Sequence, residues 1–472
     1  MTPTRRLLLA TALAGSMLPQ AGLASTADFL ARHAVTPEDL AGGRALDERG
    51  LGFLAASQVA NGAILFEGAA MKAPDGRILE AEELMVSDKV VMLRTAVLSR
   101  DADNEAFSKV SLDSVRIEGP DAARLIMMGP DDVCAPMPAV KVGSSRIDAQ
   151  GIKVTAPSLG QRAGMKADEE LSISSLEMGF TWTEEDCGAF DYLRMRALSS
   201  ETPEGDKMTV AGAMATLETS EEGQVQLGLT MTDAAFTSAA AESITRAGNL
   251  RMTAAMPEAW LAEGTDKDSV DWSDPAAALV ALAGNDASFG LEITGLELPM
   301  GDLMPKHVLD KLKLGKGSQY GGQMTFNLAS SEGKLALGHD IRMAGLANSA
   351  ANIEVEVDPR SVASQASMGV LGIASAANLV SASFSHKDLG LNSAVQAATG
   401  MDLGELVRES AAGIPGPASA TAPIIDWLAV ALTTEGNVEA APAQPVPLMQ
   451  IGMTLAMAPK SLVNILNLTA SE

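Results

Sequence analysis

Four aspartates crowd the stretch "TDKDSVDWSD": Asp266, Asp268, Asp271 and Asp274. Carboxylates so spaced can hold calcium, a hard cation bound through oxygen. An EF-type loop would need another ligand at Val270 and a glycine at Asp271. The competing reading is a solvated acidic loop ahead of a helix. Cys134 in "DDVCAPMP" and Cys187 in "EEDCGAF" suit a single structural disulfide in an oxidising compartment. Two buried thiols are the alternative, and the spacing matches no zinc pattern. The histidines His33, His307, His339 and His386 fall in no H-E-x-x-H or H-x-E setting and read as surface or satisfied residues. No G-x-S-x-G elbow occurs. Gly315-Lys316-Gly317-Ser318 lacks both the Walker spacing and a preceding strand. A carboxylate pair for acid–base hydrolysis stays open in a chain with 60 acids, yet nothing singles out a pair. No cofactor is implied, and the expectation is a non-enzymatic protein.

The elements that would position any such group begin with a leader. "MTPTRRLLLATALAGSMLPQAGLAS" has Arg5 and Arg6, an apolar core from Leu7 to Leu18, and small residues at Gly22 and Ala24. That is the pattern of a cleavable secretory signal over residues 1–24. Its core is well short of the ~20 apolar residues that span a bilayer. Thr4-Arg5-Arg6-Leu7-Leu8-Leu9 also resembles a twin-arginine signal, so the Sec and twin-arginine routes both stay open. No later stretch is apolar for long enough to cross a membrane, and the expected location is the periplasm. The formal charge of −26 repels nucleic acid, which proteins hold through cationic contacts to phosphate. It repels anionic head groups too. Lys306, Lys311, Lys313 and Lys316 recur at helical spacing and read as a solvated helix face. Apolar residues reach 47% but aromatics only 3%, with 25 methionines, so thin, flexible side chains must fill the interior. Scarce Trp and Tyr argue against a sugar groove, while a Met-rich apolar surface adapts to irregular partners.

"TPEDL" predicts a helix with Thr36 as cap and Pro37 at its first position, running to near Ala60. Strands follow. "AILFEGAAMKAPDGRILEAEELMV" has apolar runs on both sides of a turn at Pro74-Asp75-Gly76, and "SSRIDAQGIKVTAP" brings Ile147, Ile152 and Val154. "LDSVRIEGP" breaks the strand rhythm, because Leu112, Val115 and Ile117 are spaced three, then two. The beat returns at Ile173, Leu176, Met178 and at Ile293, Leu296, Leu298. A β-bulge gives this spacing and bends the sheet, with Ser114, Ser175 and Gly295 as the extra residues. Two of the beats precede hairpins turning at Ser220-Glu221-Glu222-Gly223 and Ser330-Ser331-Glu332-Gly333, which predicts an internal duplication. Helices are predicted from Pro275 to Gly284 and from Pro305 to Gly315. Another follows the capping-box pair Asp402 and Glu405, and a further one surrounds "IIDWLAVAL". "APAQPVP" reads as an extended connector to a last helix, with Leu462, Ile465 and Leu466 on one face.

These elements describe an α+β, strand-rich chain: an elongated, curved antiparallel sheet with helices on one face. Residues 1–24 are the signal, 25–165 an N-terminal helix plus β region, 166–260 a first β repeat, and 261–410 a second repeat with helices. Residues 411–472 form a Pro-rich connector with docking helices. "GGQMTFNLASSEGKLALGHDIRMAGL", "VSASFSHKDLGLNSAVQAATGMDLGELVRE" and the "APAQPVPLMQIGM" tail resemble uncharacterised exported proteins of alphaproteobacteria. More loosely, the chain is similar to periplasmic β-rich proteins of the AsmA/TamB-like kind. That resemblance implies long curved sheets with an apolar inner face, lipid movement and envelope homeostasis. AsmA-like proteins keep an N-terminal membrane anchor where this chain has a cleavable signal, and the resemblance supplies no site residues. The expected partner is a lipid or another apolar envelope ligand. An envelope assembly factor without small ligand and an exported hydrolase are the alternatives, and no oligomeric state is indicated. Thiol titration of the unfolded, unreduced protein checks the cysteines: no reactive thiol is expected, and two would leave Cys134 and Cys187 free.

Overall fold

Thr36 starts a helix as its sequence predicts, but the helix is short. After α1 (Thr26–Arg32) comes α2 (Pro37–Gly42). Thr36 Oγ1 accepts the Asp39 amide while the Asp39 carboxylate accepts the Thr36 amide, a closed capping box. The helix does not run on to Ala60. Gly43 turns to φ 77°, where a side chain would strike the Leu54 carbonyl, and Ala55–Gln58 pairs as a strand. A glycine pair in an apolar, Ala-rich run ended the helix that composition favoured.

The computed structural model describes residues 26–59, 62–72, 78–99, 109–119, 143–157, 168–182, 189–202, 205–220, 223–239, 243–257, 260, 275–299, 310, 319–365, 370–411, 425, 429–430, 432–433, 435–458 and 460–471. The chain divides into two units, Met1–Thr216 and Leu217–Glu472. The first holds β1 (Leu51–Gly52), β2 (Ala55–Gln58), β3 (Ile64–Lys72), β4 (Ile78–Val86) and β5 (Val90–Ser99). Then come β6 (Lys109–Glu118), β7 (Gly143–Pro157), β8 (Asp168–Trp182), β9 (Ala189–Glu201) and β10 (Lys207–Thr219). β1 and β2 both pair with β3, and from β3 to β10 each strand pairs antiparallel with the next.

Every strand from β3 to β10 changes its buried parity once, at one common level. In β5 Val91 and Leu93 are buried, then Ala96 and Leu98; in β6 Val110 and Leu112, then Val115 and Ile117. β7 does the same with Ile147 and Ala149, then Ile152 and Val154. Gly68, Glu82, Thr95, Asp113, Gly151, Ser174, Ala197 and Ala211 mark this line, each facing the next across a gap in the ladder. Left-handed backbone alternates along it, at Gly68 (φ 59°), Thr95 (47°), Gly151 (63°) and Ala197 (47°). Because all strands change together, the register is the same on both sides: Arg94 faces Ser114 and Ala96 faces Leu112. The three-then-two beat is therefore a shared feature of the sheet, and not an extra residue in one strand. Ser114 and Ser175 are themselves paired, and the gaps fall one residue earlier, at Asp113 and Ser174.

The second unit holds β11 (Gln224–Ser238), β12 (Ser243–Pro257), β13 (Ala287–Pro299), β14 (Gln319–Ser331) and β15 (Lys334–Met343). It continues with β16 (Ala347–Val357), β17 (Ala377–Asp388), β18 (Glu435–Ala440), β19 (Val446–Pro447) and β20 (Leu468–Ser471). β11 to β17 pair antiparallel in order; β18 and β19 both pair with β17, and β20 with β18. The parity change recurs at Asp233 (φ 48°) and Gly295 (φ 61°), on either side of Gly248. Against β14 it becomes a true bulge, since Ile293 pairs with Met324 but Leu296 with Gly322. Gly295 is thus the bulge residue its beat predicts. Glu332 (φ 52°) and Gly333 (φ 80°) make the two-residue turn that closes β14 onto β15. The two beat-plus-hairpin stretches differ in layout. β13 pairs directly with β14, whereas β9 stands between β8 and β10.

Helices pack on one face of this second sheet. α3 (Pro275–Gly284) spans its predicted limits, and α4 (Pro359–Gln365) and α5 (Val370–Ala376) lie beside it. Ala283, Val362 and Ala376 join Leu335, Val357 and Ala377 in one core. α6 (Leu391–Thr399) precedes α7 (Leu403–Ala411), which begins at the predicted box: Asp402 Oδ1 accepts the Glu405 amide at 2.7 Å and Glu405 Oε2 the Asp402 amide at 3.1 Å. After α8 (Leu448–Met457), α9 (Lys460–Ile465) docks Leu462, with Leu466 just beyond it, against Leu379, Ala440 and Val446. The turn at Pro74-Asp75-Gly76 and the helix expected from Pro305 to Gly315, except helical Asp310, lie outside the described residues. No described helix is long and apolar enough to cross a membrane.

The shared line makes opposite predictions for two of its residues. A side chain at Gly151 would overlap the Asp113 carboxylate, so Gly151→Val costs about 1–3 kcal/mol. Thr95→Gly relieves a β-branched residue of left-handed backbone and costs less than about 0.5 kcal/mol or stabilises. Urea denaturation followed by circular dichroism reads both.

Candidate functional site

Strand alternation sorts the second sheet into a dry face and a wet one. On the helix-bearing face, Phe289, Leu328, Leu337, Ile353 and Ala382 oppose one another across β13 to β17. The next row is Leu291, Phe326, His339, Ala351 and Phe384, with Met252 of β12 opposite Leu291. The helices cover the row before these, where Leu335 is buried. Beyond it the cover stops. Leu337 is 55% exposed, Ile353 42%, Met252 40% and Phe326 38%. Scattered exposed leucines need no explanation, but these positions adjoin one another, and a contiguous apolar patch marks a binding surface. Among the described residues of β12 to β18, the only charged side chain in phase with this face is Asp388, at the end of β17.

A short polar strip interrupts the patch. His339 Nε2 lies 3.2 Å from Ser349 Oγ, and the His339 ring stands 6.2 Å from that of Phe326. Ser349 faces His386 across the β16–β17 ladder. The His386 ring stacks on Phe384 at 6.4 Å, and its Nε2 is buried without a partner. Two histidines that stand alone in the sequence thus meet on one surface. The signal available for them was phase: His339 keeps step with Leu335 and Leu337, and His386 with Phe384.

The opposite face is charged and paired. Arg246 meets Glu297 at 3.1 Å, Arg342 meets Asp340 at 2.8 Å, and Lys387 meets Glu435 at 2.9 Å. The last two pairs, with Asn348, Ser385, Asn437 and Ser471, line a cavity of about 480 Å³ that also reaches Ser349 and His386. Its cations and carboxylates neutralise each other in pairs, and Ser349 at its margin is the hydroxyl that contacts His339.

In the first unit, His33 belongs to a structural clamp. Its Nδ1 lies 2.8 Å from the Arg49 carbonyl oxygen, and its ring packs on Phe29. Arg44 donates to the Leu51 and His33 carbonyls, both at 2.8 Å, and sits 3.5 Å from Asp39. The calcium candidates Asp266, Asp268, Asp271 and Asp274, the cysteines Cys134 and Cys187, and His307 all lie outside the described residues. Among the described residues, no group of three or more His, Cys, Asp or Glu could hold a metal ion. No family model matches the chain, and no curated protein matches it. The candidate site therefore rests on its own geometry.

Burial lowers the His33 pKa from 6.5, with Arg32 and Arg44 adding to the effect and the Arg49 carbonyl contact opposing it. The folded protein thus keeps this ring neutral where the unfolded chain would protonate it. Stability is complete above pH 6.5 and falls as pH drops through that value towards the folded pKa. Thermal melts of the wild type and His33→Gln across this range should show the loss in the wild type alone.

Proposed function

We propose that this protein is a non-enzymatic periplasmic protein that holds an acyl chain, or a similarly apolar envelope ligand, on the open face of its second sheet. The carrying observation is the exposure of Phe326, Leu337 and Ile353 on adjacent strands of the helix-bearing face, with Met252 beyond half-buried Leu291. From β12 to β16 this run crosses four strand spacings, about 19 Å, comparable with an extended long acyl chain. Covering each half-exposed side chain contributes about 1 kcal/mol, and each ligand methylene removed from water about 0.8 kcal/mol. Together these offset the entropy of association for a long chain but not for a short one. The formal charge of −26 and, among the described residues of β12 to β18, the absence of a cation in phase with the patch disfavour nucleic acid. The resemblance to AsmA/TamB-like proteins, with their apolar inner faces, agrees with this reading.

Docking of an envelope protein is a second reading, favoured by α8. Met449, Met453 and Met457 fall on one stripe of that helix, and the last two are 51% and 74% exposed. Methionine suits irregular partners.

Native mass spectrometry with lipid extraction, on protein purified from its own periplasm, separates the two. A bound lipid is expected, reduced at least tenfold by Leu337→Asp with Ile353→Asp. Lipid-free protein that also fails to take up added long-chain lipid overturns the proposal.

A further inference from the structure

We infer that His339, Ser349 and His386 seat the carboxylate head of a long-chain fatty acid whose tail lies over Phe326, Leu337 and Ile353. This rests on the acyl-chain reading above and adds the ligand's polar end. The hydrogen-bond count of the strip carries it. In the contact between His339 Nε2 and Ser349 Oγ, one partner donates and the other accepts. If the ring donates, the Ser349 proton is left over; if Ser349 donates, the ring's Nδ1–H is left over. Either way the pair keeps an unspent donor. His386, only 6% exposed, adds a buried ring nitrogen without a hydrogen-bond partner. A buried polar atom without a partner costs free energy that an incoming oxygen recovers.

A strip that keeps a donor unspent inside an apolar face suits a head that accepts. A carboxylate offers two oxygens and no proton. Among the described residues of β12 to β18, the one carboxylate in phase with this face is already engaged, since Asp388 Oδ1 accepts the Asn392 amide at 2.8 Å at the start of α6. Geometry places the tail as well. His339 is directly opposite Phe326, while Leu337 and Ile353 are one pleat further along the same strands. A head at Ser349 thus has the exposed patch between it and the covered row of Leu335 and Val355.

Delipidated full-length protein is titrated with palmitate, methyl palmitate and hexadecanol, reading displacement of a fluorescent apolar probe. Palmitate is expected to bind at least tenfold more tightly than methyl palmitate. His339→Phe with Ser349→Ala should erase that preference while methyl palmitate binding stays, and His386→Phe should weaken palmitate alone. Single Ser349→Ala gives the same reading if the double variant fails to fold. Equal binding of all three probes by the wild type overturns the carboxylate seat and leaves the acyl-chain reading standing. No binding of any probe overturns both.

Discussion

The fold depends on one constraint: every strand from β3 to β10 must change faces at the same level. Strand side chains alternate with a period of two, so a change in one strand alone would turn its remaining apolar residues outward and spoil its pairing. Here Gly68, Glu82, Thr95, Asp113, Gly151, Ser174, Ala197 and Ala211 change together, and Arg94–Ser114 and Ala96–Leu112 stay in register around them. The requirement is costly, because Thr95 and Ala197 adopt left-handed backbone without being glycine. Strain of about 1–2 kcal/mol at such a residue is offset by the apolar rows it aligns, such as Leu93 and Val115 on one side and Leu98 and Val110 on the other. No strand can drop the change without disturbing two neighbours.

Part of this was legible in the sequence, and the limit has a physical cause. The beat shows in β6 because charged or hydroxylated residues separate Leu112, Val115 and Ile117. It is hidden in β5, "VVMLRTAVLS", where outward Val90 and Met92 are as apolar as buried Val91 and Leu93. The hairpin at Glu332-Gly333 and the cap at Thr36 were legible because turn and cap chemistry is local. Thr36 and Pro37 announce where the helix starts but not its length, which Gly43 sets by taking a positive φ of 77°. The meeting of His339 and His386 was invisible. They lie 47 residues apart, and only the registers of β15, β16 and β17 bring both to Ser349.

Charge segregation in the second sheet follows from the same alternation. Its polar face carries exposed ion pairs, such as Arg342 with Asp340 and Lys387 with Glu435. Pairs of that kind contribute roughly 0–1 kcal/mol each and explain little of the stability. Their effect is to keep one face wet, which assigns every intervening position to the other. The helix-bearing face then needs a cover, and α3, α4 and α5 supply it only over the row of Leu335 and Val357.

Where the cover ends decides the chemistry. Burying Leu337 and Ile353 under another helix would have given an ordinary α+β core, and His339 and Ser349 would then have been polar groups shut in with their unspent donor. Leaving that row open exposes apolar area to water beside a strip that holds an unspent donor and the buried, unpartnered His386 Nε2. Both features are unfavourable for the protein alone, and they are unfavourable at adjacent positions. A ligand with one apolar end and one hydrogen-bond-accepting end relieves the two together, whereas a purely apolar ligand relieves only the first. The juxtaposition of the exposed leucine row with the His339–Ser349 pair therefore selects for an amphiphile, on grounds independent of any relative of the chain.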